Sequence, residues 1–422
     1  AFRSLDDLGG GAHKGSVTFR LCRDAGCDTV YPGSTQSFSY TVDAALHPWA
    51  TYQRTPRHTG YVHASFDPSQ IKQAWQIVAP EGGYMPVAAR GDTVFATLHD
   101  GNWSVGRNEV YAIDSATGKE RWHYSMGTLN SASGPALSGD VLAVVTMEMS
   151  SDNNEIKLLD PVSGSLLRNM TFPAQWSEFA QPAMDNGALF LASGYYGNQV
   201  YRYDLTRGVA AWEAEGSGGS IWDGETVALD DEYVYYYSGN LDLFDRSTGA
   251  RVRSIADPDM QWSGYSYNGG PIVGPNHHVL AYSGSSAGGS FPLVNFDTEA
   301  AKILWRTSQL YDPSPALAKG VVYANSNAAG RMEALDEETG KPLWSWERPA
   351  GEAFVGNVLA TDTLIFVSTN KGVYAISTGN HQTVWSADAT GALAITPDHK
   401  LIVAQQYAVN NASPKLVAFS LD

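Results

Sequence analysis

One spacing recurs through the chain: an aspartate followed eight positions later by a tryptophan. The stretch VYAIDSATGKERW, Val110 to Trp122, shows the unit complete. A short apolar strand reaches Asp114, a turn at Thr117-Gly118 reverses the chain, and a second strand brings in Trp122. The offset is kept from Asp67 to Trp75, Asp204 to Trp212, Asp297 to Trp305, Asp336 to Trp344, and Ser377 to Trp385, where Ser replaces Asp. Two further copies, Asp160 to Arg168 and Asp245 to Arg253, carry Arg in place of Trp. The Asp-equivalent positions are 39 to 52 residues apart, so eight copies of one hairpin recur at the length of a four-stranded unit. Asp suits a tight turn because its side-chain oxygen accepts nearby N–H groups, and Gly118 or Gly340 takes the positive φ that closes it. A repeat of this length with short strands predicts an all-β, eight-bladed propeller rather than a helical solenoid.

The blade count also predicts how the ring closes. The last full hairpin, at Ser377, leads into ALAITPDHK, LIVAQQY and KLVAFSLD, and the final outer strand is missing. The strand holding Trp75, near the other end, has no blade in front of it. Eight sectors are complete only if this strand pairs with the C-terminal group, which also removes two exposed sheet edges. Residues 45–422 are therefore read as the propeller. Residues 1–44 differ: GSVTFRLCRDAGC and TQSFSYTVDA alternate apolar and polar positions as half-buried strands do. Two or three strands make no core alone. The segment is read as the last part of an immunoglobulin-like β-sandwich in a larger multidomain chain, with a monomeric propeller after it. Its Cys22 and Cys27, the only cysteines, are expected to form a disulfide, as in an extracytoplasmic protein.

Further along, Trp49, Tyr52, His58-Thr59-Gly60 and Tyr61, followed by the strand to Trp75, carry a resemblance. They are similar to the opening of bacterial quinoprotein-type propellers, the family sharing pyrroloquinoline-quinone-like repeats with the outer-membrane assembly lipoprotein. The resemblance covers about Trp49 to Asp422, and the hairpins match that family's tryptophan-docking repeats. It implies either a quinone dehydrogenase, with the cofactor on one face above adjacent cysteines and a Ca²⁺ held by Glu, Asn and Asp, or a cell-envelope assembly scaffold. This sequence has no adjacent cysteine pair and no haem-attachment motif.

The formal charge of −17 argues against a nucleic-acid partner, since phosphates would find no neutralising surface. No apolar run is long enough to span a membrane as a helix. Candidate recognition residues sit on two loop sets that the strand order puts on one face, opposite the Asp–Gly hairpins. Loops leading into innermost strands hold Tyr84, Trp176, Phe179, Trp222, Trp262, Tyr265, Tyr267, Tyr311 and Phe354; companion loops hold Trp103, Tyr195, Tyr196 and Tyr407. Aromatic planes among Asn, Gln, Ser and carboxylates suit a sugar or an extended peptide. The carboxylates Glu81, Glu148, Glu178, Asp223, Asp257, Asp259 and Asp312 show no ligand spacing, and His277-His278 reads as a turn, so no metal site is assigned. With no nucleophile elbow or zinc helix either, the expectation is a non-catalytic propeller binding a protein or glycan, without a cofactor.

Overall fold

The computed structural model describes residues 9–99, 106–147, 154–173, 181–193, 198–219, 226–261, 269–284, 289–408 and 412–422. Two compact units result, 1–47 and 48–422. In the first, Gly11–Phe19 pairs antiparallel with Gln36–Ala44, placing Val17 opposite Phe38. The connection carries a Cys22–Cys27 disulfide and a turn in which Asp24 accepts from the backbone of Asp28 and Thr29. The described strands make a two-stranded ribbon, with Phe19 61% and Phe38 59% exposed; an immunoglobulin-like sandwich is not shown.

The second unit is eight antiparallel sheets of four principal strands. The first blade runs Ala88–Arg90, Thr93–His99, Gly106–Asp114, Glu120–Leu129, with a short leading piece, Gly83–Tyr84. The next six span 131–172, 183–215, 228–256, 272–311, 316–347 and 354–387. Second strands such as Thr93–His99 and Leu364–Thr369 are buried at every position, because each lies between two neighbouring blades. Outer strands such as Glu120–Leu129 are largely solvent-facing, which explains their polar composition.

The eighth blade joins Ala392–Ile395, Lys400–Ala404 and Lys415–Ser420 to Lys72–Val78 from the other end of the unit. Ala418 lies opposite Trp75 and Phe419 opposite Gln73, so the expected closure is observed. One detail of the repeat is corrected. Asp67 caps a single 3-10 turn, Pro68–Gln70, rather than a hairpin, because the preceding strand of its blade comes from the C-terminal end.

The hairpins show why the spacing is eight. Asp114 accepts from Thr117 N at 2.9 Å and Thr117 Oγ1 at 2.7 Å, and Asp336 repeats this with Thr339. The guanidinium of Arg121, then the Thr117 hydroxyl, hold the Asp114 carboxyl down at about 2. Four of the Trp then lie on the glycine of the next blade's hairpin: Trp75 on Gly118, Trp122 on Gly164, Trp212 on Gly249 and Trp305 on Gly340. A Cβ on Gly118 would stand 2.8 Å from the Trp75 ring, so the glycine is required by packing as well as by its φ of 71°. The indole N–H of Trp75 donates to Ser115 O at 2.7 Å, and that of Trp305 to Glu337 O at 2.9 Å.

Arg does the same work where Trp is absent. Arg168 lies over Gly208 and donates to Thr206 O at 3.0 Å, and Arg253 donates to Glu299 O at 2.9 Å. A flat guanidinium on an apolar stem replaces a flat indole. Trp344 is partly buried and stacks at 4.2 Å on His381, which at φ 61° takes the place that glycine holds in the other hairpins. Trp344→Ala is accordingly expected to cost about 2 kcal/mol, below the 3 to 5 typical of a fully buried aromatic, by urea unfolding.

Candidate functional site

The axial channel is closed from one side by the chain itself. Trp49 to Gly60 follows the inner rim in blade order and hands carbonyls to the innermost strands. Trp49 O accepts from Ala89, Ala50 O from Leu137, Pro56 O from Leu229, Arg57 O from Val273, Thr59 O from Leu317 and Gly60 O from Ala360. The third blade is met by Thr51 Oγ1, donating to Pro182 O at 2.6 Å. Gln53 and Arg54, at φ 49° and 80°, make the central turn. The amide N of Gln53 donates to Ser314 O, Pro315 O and Val358 O, while its Oε1 accepts from Asn357. Behind the turn, Tyr52 meets the His58 ring edge-on at 4.9 Å and shares a 2.7 Å hydrogen bond with Ser314; burial pushes its hydroxyl up to about 12.

Above this floor lies a cup of about 520 Å³. Trp49, Tyr52 and Gln53 line its base. Pro86-Val87, Gln181, Asp312 to Ser314, Phe354 to Asn357 and Ala392-Leu393, from segments leading into innermost strands, line its wall with Gly289-Ser290 and Asn327, which lie between second and third strands. These are the two loop sets expected to share a face. The Asp–Gly hairpins lie at the other end, where Ser115 N donates to Asp92 O and Glu337 N to Gly320 O, back to the turns after the innermost strands.

Asp312 is the one ionisable carboxyl among the described lining residues. It accepts from Ser290 Oγ at 2.5 Å and from Asn327 N at 2.8 Å. Burial raises its pKa, against the Ser290 and Asn327 hydrogen bonds and the charge of Arg348. Arg348 itself donates to the carbonyl and amide oxygens of Asn327 and lies over the Phe354 ring.

The structure treats the sequence candidates unevenly. Tyr84 and Tyr311 are corrected: both are core residues, 3% and 1% exposed, and the Tyr311 hydroxyl is tied to Glu333. Each ends a strand that turns inward, a direction that residue type does not disclose. Phe354 lines the cup and Tyr407 is exposed. Trp103, Trp176, Phe179, Tyr195, Tyr196, Trp222, Trp262, Tyr265 and Tyr267 lie outside the described residues, as do Glu148, Glu178 and Asp223. Asp257 and Asp259 are engaged by Arg306, and Glu81 by Arg107. His278 pairs with the buried Glu337 at 2.6 Å. Among the described residues no three His, Cys, Asp or Glu side chains gather as a metal site. Gln53, Gln181 and Asn357 were missed, since a lone amide gives no periodic signal.

The repeats can now be set beside known proteins. The family described as outer membrane protein assembly factor BamB matches residues 106–345, more than half of the sequence. The chain belongs to that family. Among curated proteins, this BamB-like propeller is 22% identical to the tetrathionate hydrolase of Acidithiobacillus ferrooxidans over 401 residues, 80% of this chain and 79% of that one. Solved structures repeat the fold. BamB from Moraxella catarrhalis is 16% identical with a TM-score of 0.61, covering 83% of this chain and 99% of its own. The quinohemoprotein alcohol dehydrogenase from Comamonas testosteroni is 14% identical with a TM-score of 0.66, covering 89% and 80%. Identities this low carry the architecture of the BamB-like ring and leave its chemistry to its own residues. No helix among the described residues is long and apolar enough to cross a membrane.

Proposed function

We propose that the chain is an extracytoplasmic, non-catalytic propeller that seats a small molecule, or a projecting group of a protein or glycan, in the axial cup. One observation carries this: a cup of about 520 Å³ is floored by a segment bonded to seven blades, and its wall amides are held by hydrogen bonds within the fold. Such a cup is pre-formed, so binding orders little and keeps more of its contact energy. The Cys22–Cys27 disulfide and the outer-membrane description of the family support the compartment. Against a quinone cofactor stand the lack of adjacent cysteines and a lining in which no described residue is Lys, Arg or His to meet an acidic quinone.

Val355→Trp, which fills the cup from its wall, is the test. Compounds or partners that raise the melting temperature of the native chain should have no effect on this variant, provided its own melting temperature is near that of the native chain. Ligands that stabilise both equally would place recognition elsewhere.

A second reading has a specific basis in Asp312, a carboxyl of raised pKa in a pre-formed cup, together with the hydrolase among the relatives. It predicts turnover of a hydrolysable sulfur compound, abolished by Asp312→Asn. Turnover unchanged in that variant, or absent from the native chain, speaks for binding alone.

A further inference from the structure

Which ligand the cup takes is written in the hydrogen-bond valences its lining has left over. The amide donors of Gln53 are used on three carbonyls and those of Asn357 on Gln53 Oε1 and Leu393 O, while Asn327, on Phe354 O, and Gln181, on Pro135 O, each keep one N–H. The amide oxygens of Asn327 and Asn357 are likewise met, by Phe354 N and Leu393 N. Acceptors remain. Each Asp312 oxygen accepts one hydrogen bond and retains a second lone pair, and Ser290 donates its only proton to Asp312, leaving its own oxygen open.

The charge has one sign. Asp312 is the only ionisable acid in the described lining, which holds no Lys, Arg or His. Arg348 is committed to Asn327 and screens the carboxylate without neutralising it by contact. Internal stretches outside the described residues add six Asp or Glu and no Lys or Arg to the sequence, so they bring no counter-charge. Trp49 and Tyr52 border the same space and offer aromatic surface that attracts a cation and gains nothing from an anion, and the Phe354 ring already meets the guanidinium of Arg348.

We infer that the cup selects a ligand bearing an organic cation, an ammonium or guanidinium group, which donates to Asp312 and packs beside Trp49 and Tyr52. The inference rests on the cup being a ligand site and adds the chemical class. Anionic ligands, sulfur oxyanions included, meet a negative charge of their own sign and no basic side chain in the described lining. The cation can belong to a free amine or to a Lys or Arg side chain of a polypeptide, and the two differ only in whether a peptide backbone trails the charged group out of the cup.

Calorimetric titration of the full chain decides the matter, with four probes: agmatine, a capped Gly-Lys-Gly peptide, methyl glucoside and succinate. Each is titrated into the native chain, Asp312→Asn and Val355→Trp. Agmatine or the peptide should bind the native chain, about tenfold or more weakly to Asp312→Asn, and not to Val355→Trp. Binding should also weaken as pH falls through the raised pKa of Asp312, because the neutral acid gives up the charge that the ligand needs. Arg348, Ser290 and Asn327 surround that group. Tighter binding of agmatine assigns a free amine, and tighter binding of the peptide a protein partner.

If methyl glucoside or succinate binds and is blocked by Val355→Trp but indifferent to Asp312→Asn, the cup stands as a site and the cation is overturned. If no probe distinguishes the native chain from Val355→Trp at millimolar concentration, the ligand site itself is overturned.

Discussion

Trp75→Ala is expected to lower the unfolding free energy by about 3 to 5 kcal/mol, the cost of emptying a buried aromatic site. Trp75 is 8% exposed, sits on the Gly118 hairpin of the first blade, and belongs to the strand that completes the eighth. It joins the ring twice, once through strand pairing and once through its indole and the Ser115 hydrogen bond. Neighbouring blades stabilise one another by contact, so a break between the eighth and first converts a closed ring into an open array with two sheet edges. Urea unfolding gives the size of the loss. Hydrogen exchange should show faster opening in Lys415–Ser420 and Glu120–Leu129 than in the blades across the ring. A loss below about 1 kcal/mol, or uniform exchange, would mean that closure rests on backbone pairing alone.

The second large effect is a pH dependence set by His58. The imidazole is fully buried in the floor segment, and burial, partly offset by the carbonyl of Pro271 at 2.9 Å, lowers its pKa from 6.5 to about 4. The neutral ring places its proton on Nδ1 toward Pro271 O, and Nε2 has no hydrogen-bond partner among the described residues. Between pH 6.5 and 4 the unfolded chain therefore binds a proton that the folded chain excludes. Stability is complete above about 6.5 and declines as pH falls to about 4, by about 3 kcal/mol in all for a gap of this size. Carboxylates such as Asp114 and Asp245, held at about 2 by their turn partners, lose their share only at lower pH. His58→Gln should flatten the melting temperature between pH 7 and 4.5, whatever it does to the absolute value. An unchanged slope would assign the pH response to other groups.

His58 also shows where sequence and structure part. The HTG at 58–60 was visible as a resemblance, but the role of the imidazole depends on the carbonyl of Pro271, 213 positions away, and on the Tyr52 ring across the turn at Gln53-Arg54. The same holds for the cup. Asp312 stood among seven loop carboxylates of equal standing, and burial beside Ser290 and Asn327 singled it out. Tyr84 and Tyr311 had the composition of recognition residues and turned out to be core, because a strand end points inward or outward according to the blade next to it.

The sequence by itself determined the repeat, its number and the pairing of the two ends. The repeat is a local rule copied around the ring, so a single spacing states it, and the count of copies leaves one strand near the start to complete the last sheet. The tertiary structure alone decided the floor of the channel, the cup above it and the charge left unmatched there. These arise where one segment without repeats meets the inner rims of the blades, and contacts between residues more than two hundred positions apart have no period to read.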